Sequence, residues 1–211
     1  MMLPTHALAG MALALPLFAV APELAPVGLV AGLLGGIVPD LDMYAGHRKT
    51  LHYPVYYSVA AVPATLSALV FPSAATVAAT LFLLGAALHC VSDVFGSGLE
   101  LRPWEGNSTR AVYDHFRGRW IAPRRLIRYD GSPEDLLLSV GLALPLIYAV
   151  GAPFQGVVIA ALAVAVAYTL LRRTLAELAP VVANLLPAAV RQYVPDRYLP
   201  EVDAAVSRRS R

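Results

Sequence analysis

The sequence predicts an all-α, polytopic membrane protein of about six transmembrane helices arranged in three hairpins. Hydrophobic residues make up 58% of the 211 residues and charged residues only 14%, against about 25% in ordinary globular domains. This composition argues against a soluble domain. The apolar residues fall into six stretches, which run over residues 6–22, 25–38, 54–71, 74–95, 135–151 and 154–171.

Short turns rich in proline and alanine separate the members of each pair of stretches. They are Ala21-Pro22-Glu23, Phe71-Pro72-Ser73 and Gly151-Ala152-Pro153. Such tight turns predict that consecutive stretches form helical hairpins. Because several stretches are shorter than the ~20 residues that span a bilayer comfortably, some helices are expected to be tilted or only partly inserted.

The basic residues predict the orientation of the hairpins. None of the 16 lysines and arginines precedes residue 48. With three hairpins, residues 1–5, loop 39–53, loop 96–134 and the chain from residue 172 lie on one face, which then carries every basic residue. The opposite face then carries one charged residue, Glu23. The positive-inside rule therefore predicts a multi-pass protein of the cell membrane with both loops and both termini in the cytoplasm.

The chain divides into a helical membrane domain over residues 1–173, which includes loop 96–134, and a tail over residues 174–211. The tail mixes apolar runs with arginine pairs and is expected to lie along the interface as a broken amphipathic helix. The first apolar stretch could alternatively be a signal peptide, because Ala19-Val20-Ala21 has the pattern of small residues typical of a cleavage site. The lack of basic residues before it argues against this alternative.

Two ionisable side chains, His89 and Asp93, lie four residues apart at the end of the fourth stretch, so they share one face of a helix. In isolation the pair could be a buried histidine and an exposed acid at a helix end. It is not isolated. Further histidines and acids flank the other stretches, and the hairpin topology places all of them at one membrane level: His6, Asp40, Asp42, His47, His52, His89 and Asp93.

Imidazole nitrogens and carboxylate oxygens are ligands for borderline divalent metals. The convergence of these seven residues therefore predicts a site for one or two ions, with zinc first and manganese or iron as alternatives. The competing interpretation is that Asp40 and Asp42 cap a loop while the histidines lie at the interface. The single cysteine, Cys90, excludes a CxxC metal site.

The same residues resemble the YdjM-like membrane-bound metal-dependent hydrolases. The matching elements follow in order over the first half of the chain: Thr5-His6, Pro39-Asp40-Leu41-Asp42, His47-Arg48 with His52, and His89-x-x-x-Asp93 followed by Gly98 and Pro103-Trp104. Lys49 and Leu51 depart from the family's central motif. The ligand order is also similar to that of zinc-dependent phospholipases C, although a second His-x-x-x-Glu is not evident and Asp114-His115 is a weak substitute.

The resemblance implies a hydrolase in which a metal ion activates water at the membrane surface. One of Asp40, Asp42 or Asp93 would orient or deprotonate that water, and Arg48 would bind an anionic group. The expected partners are membrane lipid and a phospholipid or other phosphoester substrate. Because six acids offset the seven arginines between residues 100 and 135, no nucleic-acid partner is expected. The alternatives are a metal-binding or transporting membrane protein and a lipid-holding scaffold.

Overall fold

A computed structural model describes residues 1–199 of the chain. All six apolar stretches form helices. The helices are α1 (Leu3–Ala12), α2 (Leu17–Val20), α3 (Ala25–Ile37), α4 (Pro54–Val70), α5 (Ala74–Val94), α6 (Pro133–Ala149), α7 (Ala152–Leu185) and α8 (Ala188–Arg191). Short 3-10 turns cover Pro22–Leu24, Val38–Tyr44, Pro103–Glu105 and Asp196–Tyr198. The fold is thus mostly helical, as the composition predicts.

Four segments are long and apolar enough to cross a membrane: Leu3–Val20, Pro22–Met43, Ala74–Val94 and Ala152–Leu185. Helix α4 is apolar but has only 17 residues, and α6 begins with two acids, Glu134 and Asp135. These four segments indicate membrane association. The count of six spans, their hairpin arrangement and the cytoplasmic orientation stay predictions.

Serine residues cap the N-termini of helices α5 and α6. Ser73 caps α5, since its hydroxyl accepts from the Thr76 N–H and the Thr76 hydroxyl accepts from the Ser73 N–H. Ser132 caps α6 in a similar way by accepting from the Asp135 N–H. Helix α7 continues past residue 173, the predicted end of the membrane domain, so the first part of the predicted tail is helical. Residues 200–211 of that tail lie outside the described part of the chain.

The backbones of helices α1, α3 and α5 approach one another closely because glycines lie at the contacts between them. A Cβ atom at Gly10 of α1 would lie only 2.0 Å from the carbonyl oxygen of Gly32 in α3. A Cβ at Gly35 would lie 2.2 Å from the carbonyl oxygen of Phe82 in α5. Helix α4 packs on α5, while α6 and α7 pack on α1. Leu8, Met11, Leu29, Leu81, Leu146 and Val158 belong to the apolar core between these helices.

Loop 96–134, for which no strand was predicted, contains a small hairpin within the mostly helical fold. Strand β1 (Val112–Asp114) pairs antiparallel with β2 (Arg119–Ile121). The Asp114 carboxylate accepts from the N–H groups of Phe116 and Arg117 and so holds the turn between them. Each strand has three residues, which is too short for the alternation of polar and apolar residues that predicts a strand.

Candidate metal centre

Four of the seven predicted ligands form one compact group, Asp40, His52, His89 and Asp93. Each offers one nitrogen or oxygen atom, and these four atoms all lie within 4.8 Å of one another. The 3-10 turn that follows α3 carries Asp40, the residues just before α4 include His52, and the last turns of α5 carry His89 and Asp93. The close packing of α3 against α5 brings these chain segments to the same place.

One hydrogen bond fixes the orientation of His89. Its Nδ1 atom lies 2.7 Å from the carbonyl oxygen of Gly36. A carbonyl oxygen only accepts, so Nδ1 carries the proton and Nε2 of the neutral ring offers a lone pair. That Nε2 atom lies 3.4 Å from Asp40 Oδ1 and 3.7 Å from Asp93 Oδ2. His89 therefore presents a ligand atom toward both carboxylates.

The Asp42 carboxylate organises the loop that leads into α4. It accepts hydrogen bonds from the backbone N–H groups of Arg48, Lys49 and Leu51 at 3.2, 3.3 and 3.1 Å. Its Oδ1 atom also lies 3.1 Å from His47 Nδ1. Asp42 is buried and occupied by these partners, so its place is beside the four-residue group, where it shapes the loop.

His52 is held by Asp42 in the same way as His89 is held by a carbonyl. Its Nδ1 atom lies 3.0 Å from Asp42 Oδ2, and its Nε2 atom lies 3.6 Å from both Asp40 Oδ1 and Asp93 Oδ2. A carboxylate that orients a histidine in this way is a common support of metal ligands. Burial disfavours the charged ring, but the hydrogen bond to Asp42 and the nearby negative charge of Asp93 outweigh it and raise the pKa of His52 to about 9. The carboxylates thus favour positive charge at this point.

The group fits a divalent cation by the chemistry of its donors. His52 Nε2 and His89 Nε2 are buried and have no hydrogen-bond partner among the described residues. Buried polar atoms without a partner are costly unless a ligand satisfies them. Two imidazole nitrogens with two carboxylate oxygens are a donor set of the kind that zinc, manganese and iron accept.

The other two predicted histidines flank the group without joining it. His6 stacks on His89, with ring centroids 3.8 Å apart, and its Nε2 atom lies 3.1 Å from Asp93 Oδ1. Burial holds the pKa of His47 below its usual value, and its Nδ1 atom lies 3.8 Å from Asp40 Oδ1. The structure therefore brings all seven predicted residues together, four in the group and His6, Asp42 and His47 around it.

Arg48 joins the group to the hairpin. Its Nε atom lies 3.3 Å from Asp93 Oδ2, and its NH1 group donates to the carbonyl oxygen of Ser97 at 2.6 Å. The backbone of Arg48 has φ of 59° and its side chain is buried. A non-glycine residue held in this left-handed region is strained, and such strain is concentrated at functional sites. The Arg48 carbonyl accepts from the Tyr113 N–H in β1.

A cavity of about 930 Å³ lies against one side of the group. Asp40, His47 and Arg48 line it, together with apolar residues of α1, α3 and α7. These three polar side chains can therefore contact a bound molecule. The weak substitute ligands of the sequence lie apart from the four-residue group: Asp114 holds the hairpin turn, and His115 Nε2 lies 2.7 Å from the carbonyl oxygen of Lys49.

Two backbone carbonyl groups position the site, and neither was predicted from the sequence. The Gly36 carbonyl orients His89 and the Ser97 carbonyl holds Arg48. The adjacent pair Gly35-Gly36 at the end of an apolar stretch is the only sequence signal for the first of these. No signal of residue type points to Ser97. Comparison of the chain with protein-family models, with curated proteins and with solved structures found no match.

Replacing Asp42 by asparagine is expected to weaken metal binding about 10–100-fold, the usual cost of losing a residue that supports a metal ligand. The amide offers one acceptor oxygen where the carboxylate offers two, so it cannot accept from His52 and from all three loop N–H groups at once. Competition with a chelator measures the affinity. Asp114→Asn is the matched control, since Asp114 also accepts two backbone N–H groups but only in the hairpin. Equal affinity in the Asp42→Asn variant and the wild type would contradict this role.

Proposed function

We propose that the protein is a membrane-bound metal-dependent hydrolase that cleaves a phosphoester at the cytoplasmic surface of the membrane. The observation that carries the proposal is a buried His and Asp group that opens, through Asp40, His47 and Arg48, onto a cavity. The resemblance to the YdjM-like hydrolases supports the same conclusion. Zinc is the first candidate for the ion, with manganese and iron as alternatives.

Asp40, His52, His89 and Asp93 would hold the cation, which when bound supplies Lewis-acid activation of water and of the phosphoryl oxygens. The protein side chains do the remaining work. Arg48 lines the cavity, and its contacts with Asp93 and the Ser97 carbonyl hold the guanidinium group in place. This group can therefore bind an anionic phosphoryl group. His6 and Met1 contact Asp93 Oδ1 from the other side, through Nε2 at 3.1 Å and the amino group at 2.7 Å.

Hydrolysis requires one proton to leave the attacking water and one to reach the departing alcohol. The water oxygen forms a bond to phosphorus, and the bond between phosphorus and the alcohol oxygen breaks. Asp40 lines the cavity and is placed to accept the proton of the water. His47 lines the cavity beside Asp40, with Nδ1 3.8 Å from Asp40 Oδ1, and can relay that proton from Asp40 to the alcohol oxygen. The products are a free alcohol and a phosphate.

The position of the group favours hydrolysis over ion transport. Ion pathways place ionisable groups near the middle of the membrane. Here the ligands lie at helix ends, since His89 and Asp93 are in the last turns of α5 and Asp40 follows α3. The group also borders a cavity large enough for an organic substrate.

Replacing Asp40 by asparagine is expected to lower phosphoester hydrolysis at least 100-fold, because the amide neither accepts the proton of water nor binds the cation as a carboxylate does. The assay supplies purified protein with zinc, manganese or iron and a soluble nitrophenyl phosphoester. The Asp114→Asn variant serves as the control and should retain wild-type hydrolysis. The proposal fails if the wild type cleaves no phosphoester with any of these ions or if the Asp40→Asn variant is as active as the wild type.

A further inference from the structure

The cavity beside the metal centre extends as a groove over α1, between α3 and α7. Helix α1 contacts both α3 and α7, and Leu3 and Ala7 form the floor of the groove. Leu33 and Ile37 of α3 line one side, while Val157 and Val164 of α7 line the other. This section of the groove therefore has apolar walls, and it ends at the polar groups around Asp40 and Arg48. Beyond them the lining by α7 is again apolar, from Leu175 to Ala183.

The groove-lining residues of α7 run from Val157 to Ala183, and those up to Arg172 include one stripe along the helix. Val157, Ala161, Val164, Tyr168 and Arg172 follow at spacings of three or four, so they share a helix face. The apolar part, from Val157 to Tyr168, is about 16 Å long at a rise of 1.5 Å per residue. This length matches the ~15 Å of one leaflet, half of a hydrocarbon core about 30 Å thick.

Cationic side chains gather at the polar end of the groove. Arg48, Arg172 and Arg197 line this end. Two pairs at this end are neutral, since Arg172 Nε lies 2.9 Å from Asp130 Oδ2 and Arg125 NH2 lies 3.6 Å from Glu100 Oε1. A divalent cation in the four-residue group would balance Asp40 and Asp93, so Arg48 and Arg197 would give this end a positive charge that attracts an anion such as a phosphate.

We propose that the groove binds the acyl chain of a membrane lipid whose phosphate-bearing headgroup lies at Asp40 and Arg48. The substrate class of the enzyme is then a lipid phosphoester, and this part of the inference rests on the proposed function. An apolar groove of one-leaflet length with an anion-attracting end matches an amphipathic lipid. An extended polypeptide fits poorly, because the apolar walls would leave its backbone N–H and C=O groups without partners.

Two phosphonates test the binding separately from hydrolysis. Hexadecylphosphonate and methylphosphonate carry the same anionic head and differ in the chain, and the bond between carbon and phosphorus resists hydrolysis. Purified zinc-loaded protein is titrated with each in detergent. We expect the long-chain compound to bind at least tenfold more tightly, the factor that corresponds to about 1.4 kcal/mol. Equal affinity for the two phosphonates would overturn the proposal.

A matched pair of variants locates the chain. Val164 lines the groove and is 56% exposed, whereas Val166 lies on another face of α7 and is 43% exposed. Val164→Trp is expected to weaken hexadecylphosphonate binding about tenfold, a loss of about 1.4 kcal/mol, and to leave methylphosphonate binding unchanged. Val166→Trp should change neither. Unaltered hexadecylphosphonate binding in the Val164→Trp variant overturns the proposal, as does an altered oligomeric state with wild-type binding, which would indicate a protein occupant.

Hydrolysis of the soluble nitrophenyl phosphoester separates this inference from the proposed function. The Val164→Trp variant should cleave it as the wild type does, because the ester has no chain to place in the groove. If the wild-type protein binds the long-chain phosphonate selectively but cleaves no phosphoester, the proposed hydrolase activity is contradicted and the proposed lipid-binding groove is supported. A wild type that cleaves the ester but binds both phosphonates equally contradicts the lipid site alone.

Discussion

Replacing His89 by alanine is expected to remove the metal ion from the purified protein, with affinity falling at least 100-fold. His89 Nε2 is buried, has its tautomer fixed by the Gly36 carbonyl and lies 3.4 Å from Asp40 Oδ1. Alanine deletes this donor and leaves His52 as the one imidazole ligand beside the two carboxylates. Metal content after dialysis against a weak chelator, measured by mass spectrometry, gives the result directly.

His115→Ala is the matched control for this experiment. His115 is another of the five histidines, and it bonds to the Lys49 carbonyl rather than to the carboxylates. This variant should keep the wild-type metal content. Full retention of metal by the His89→Ala variant, or equal loss in both variants, would remove His89 from the ligand set.

A single methyl group at Gly10 is expected to lower the free energy of unfolding by about 1–3 kcal/mol, the range for overpacked sites. The added Cβ would lie 2.0 Å from the Gly32 carbonyl oxygen and 2.8 Å from its carbonyl carbon. Backbone atoms cannot turn aside as a flexible side chain can, so α1 must move away from α3. That movement also displaces His6 from Asp93. Thermal unfolding of the Gly10→Ala variant in detergent measures the loss.

Gly141→Ala is the matched control, because it makes the same glycine-to-alanine substitution in a helix without close neighbours. Gly141 lies in the middle of α6, and a Cβ there would meet no atom within 4 Å among the described residues. Alanine is favoured over glycine in helix interiors by about 1 kcal/mol. The Gly141→Ala variant is therefore expected to be as stable as the wild type or slightly more stable. Similar thermal shifts in the two variants would contradict the close approach of α1 and α3.

The helices were predictable because each is an apolar stretch bounded by proline-rich turns. Two features of the fold were not. The three-residue strands of the hairpin carry no repeating pattern, and their pairing depends on the Asp114 turn and on contact with Arg48. The second is the continuity of α7, since a separate, broken amphipathic helix was predicted after the arginine pair at residues 172 and 173, whereas α7 runs without a break to Leu185. The buried ion pair of Arg172 with Asp130 explains how a charge is accommodated within the helix.

The candidate site was predictable as a set of residues but not as a set of roles. The common membrane level predicted that the seven histidines and acids converge, and all of them are in contact within the site. Their roles depend on which ring nitrogen faces which oxygen. Asp42 was predicted as a ligand, and only the folded loop reveals that Arg48, Lys49 and Leu51 already occupy its carboxylate. The glycine contacts that align α1, α3 and α5 equally required the packed helices.

The central claim is a metal ion held by two histidines and two aspartates, and X-ray absorption of the zinc-loaded wild-type protein tests it most directly. A site built by Asp40, His52, His89 and Asp93 predicts imidazole scattering from two rings, with nitrogen and oxygen atoms about 2.0–2.2 Å from zinc. The His89→Ala variant should lose one of those rings or bind no zinc. A first shell of oxygen atoms without imidazole scattering, or no retained zinc in the wild type, would contradict the claim.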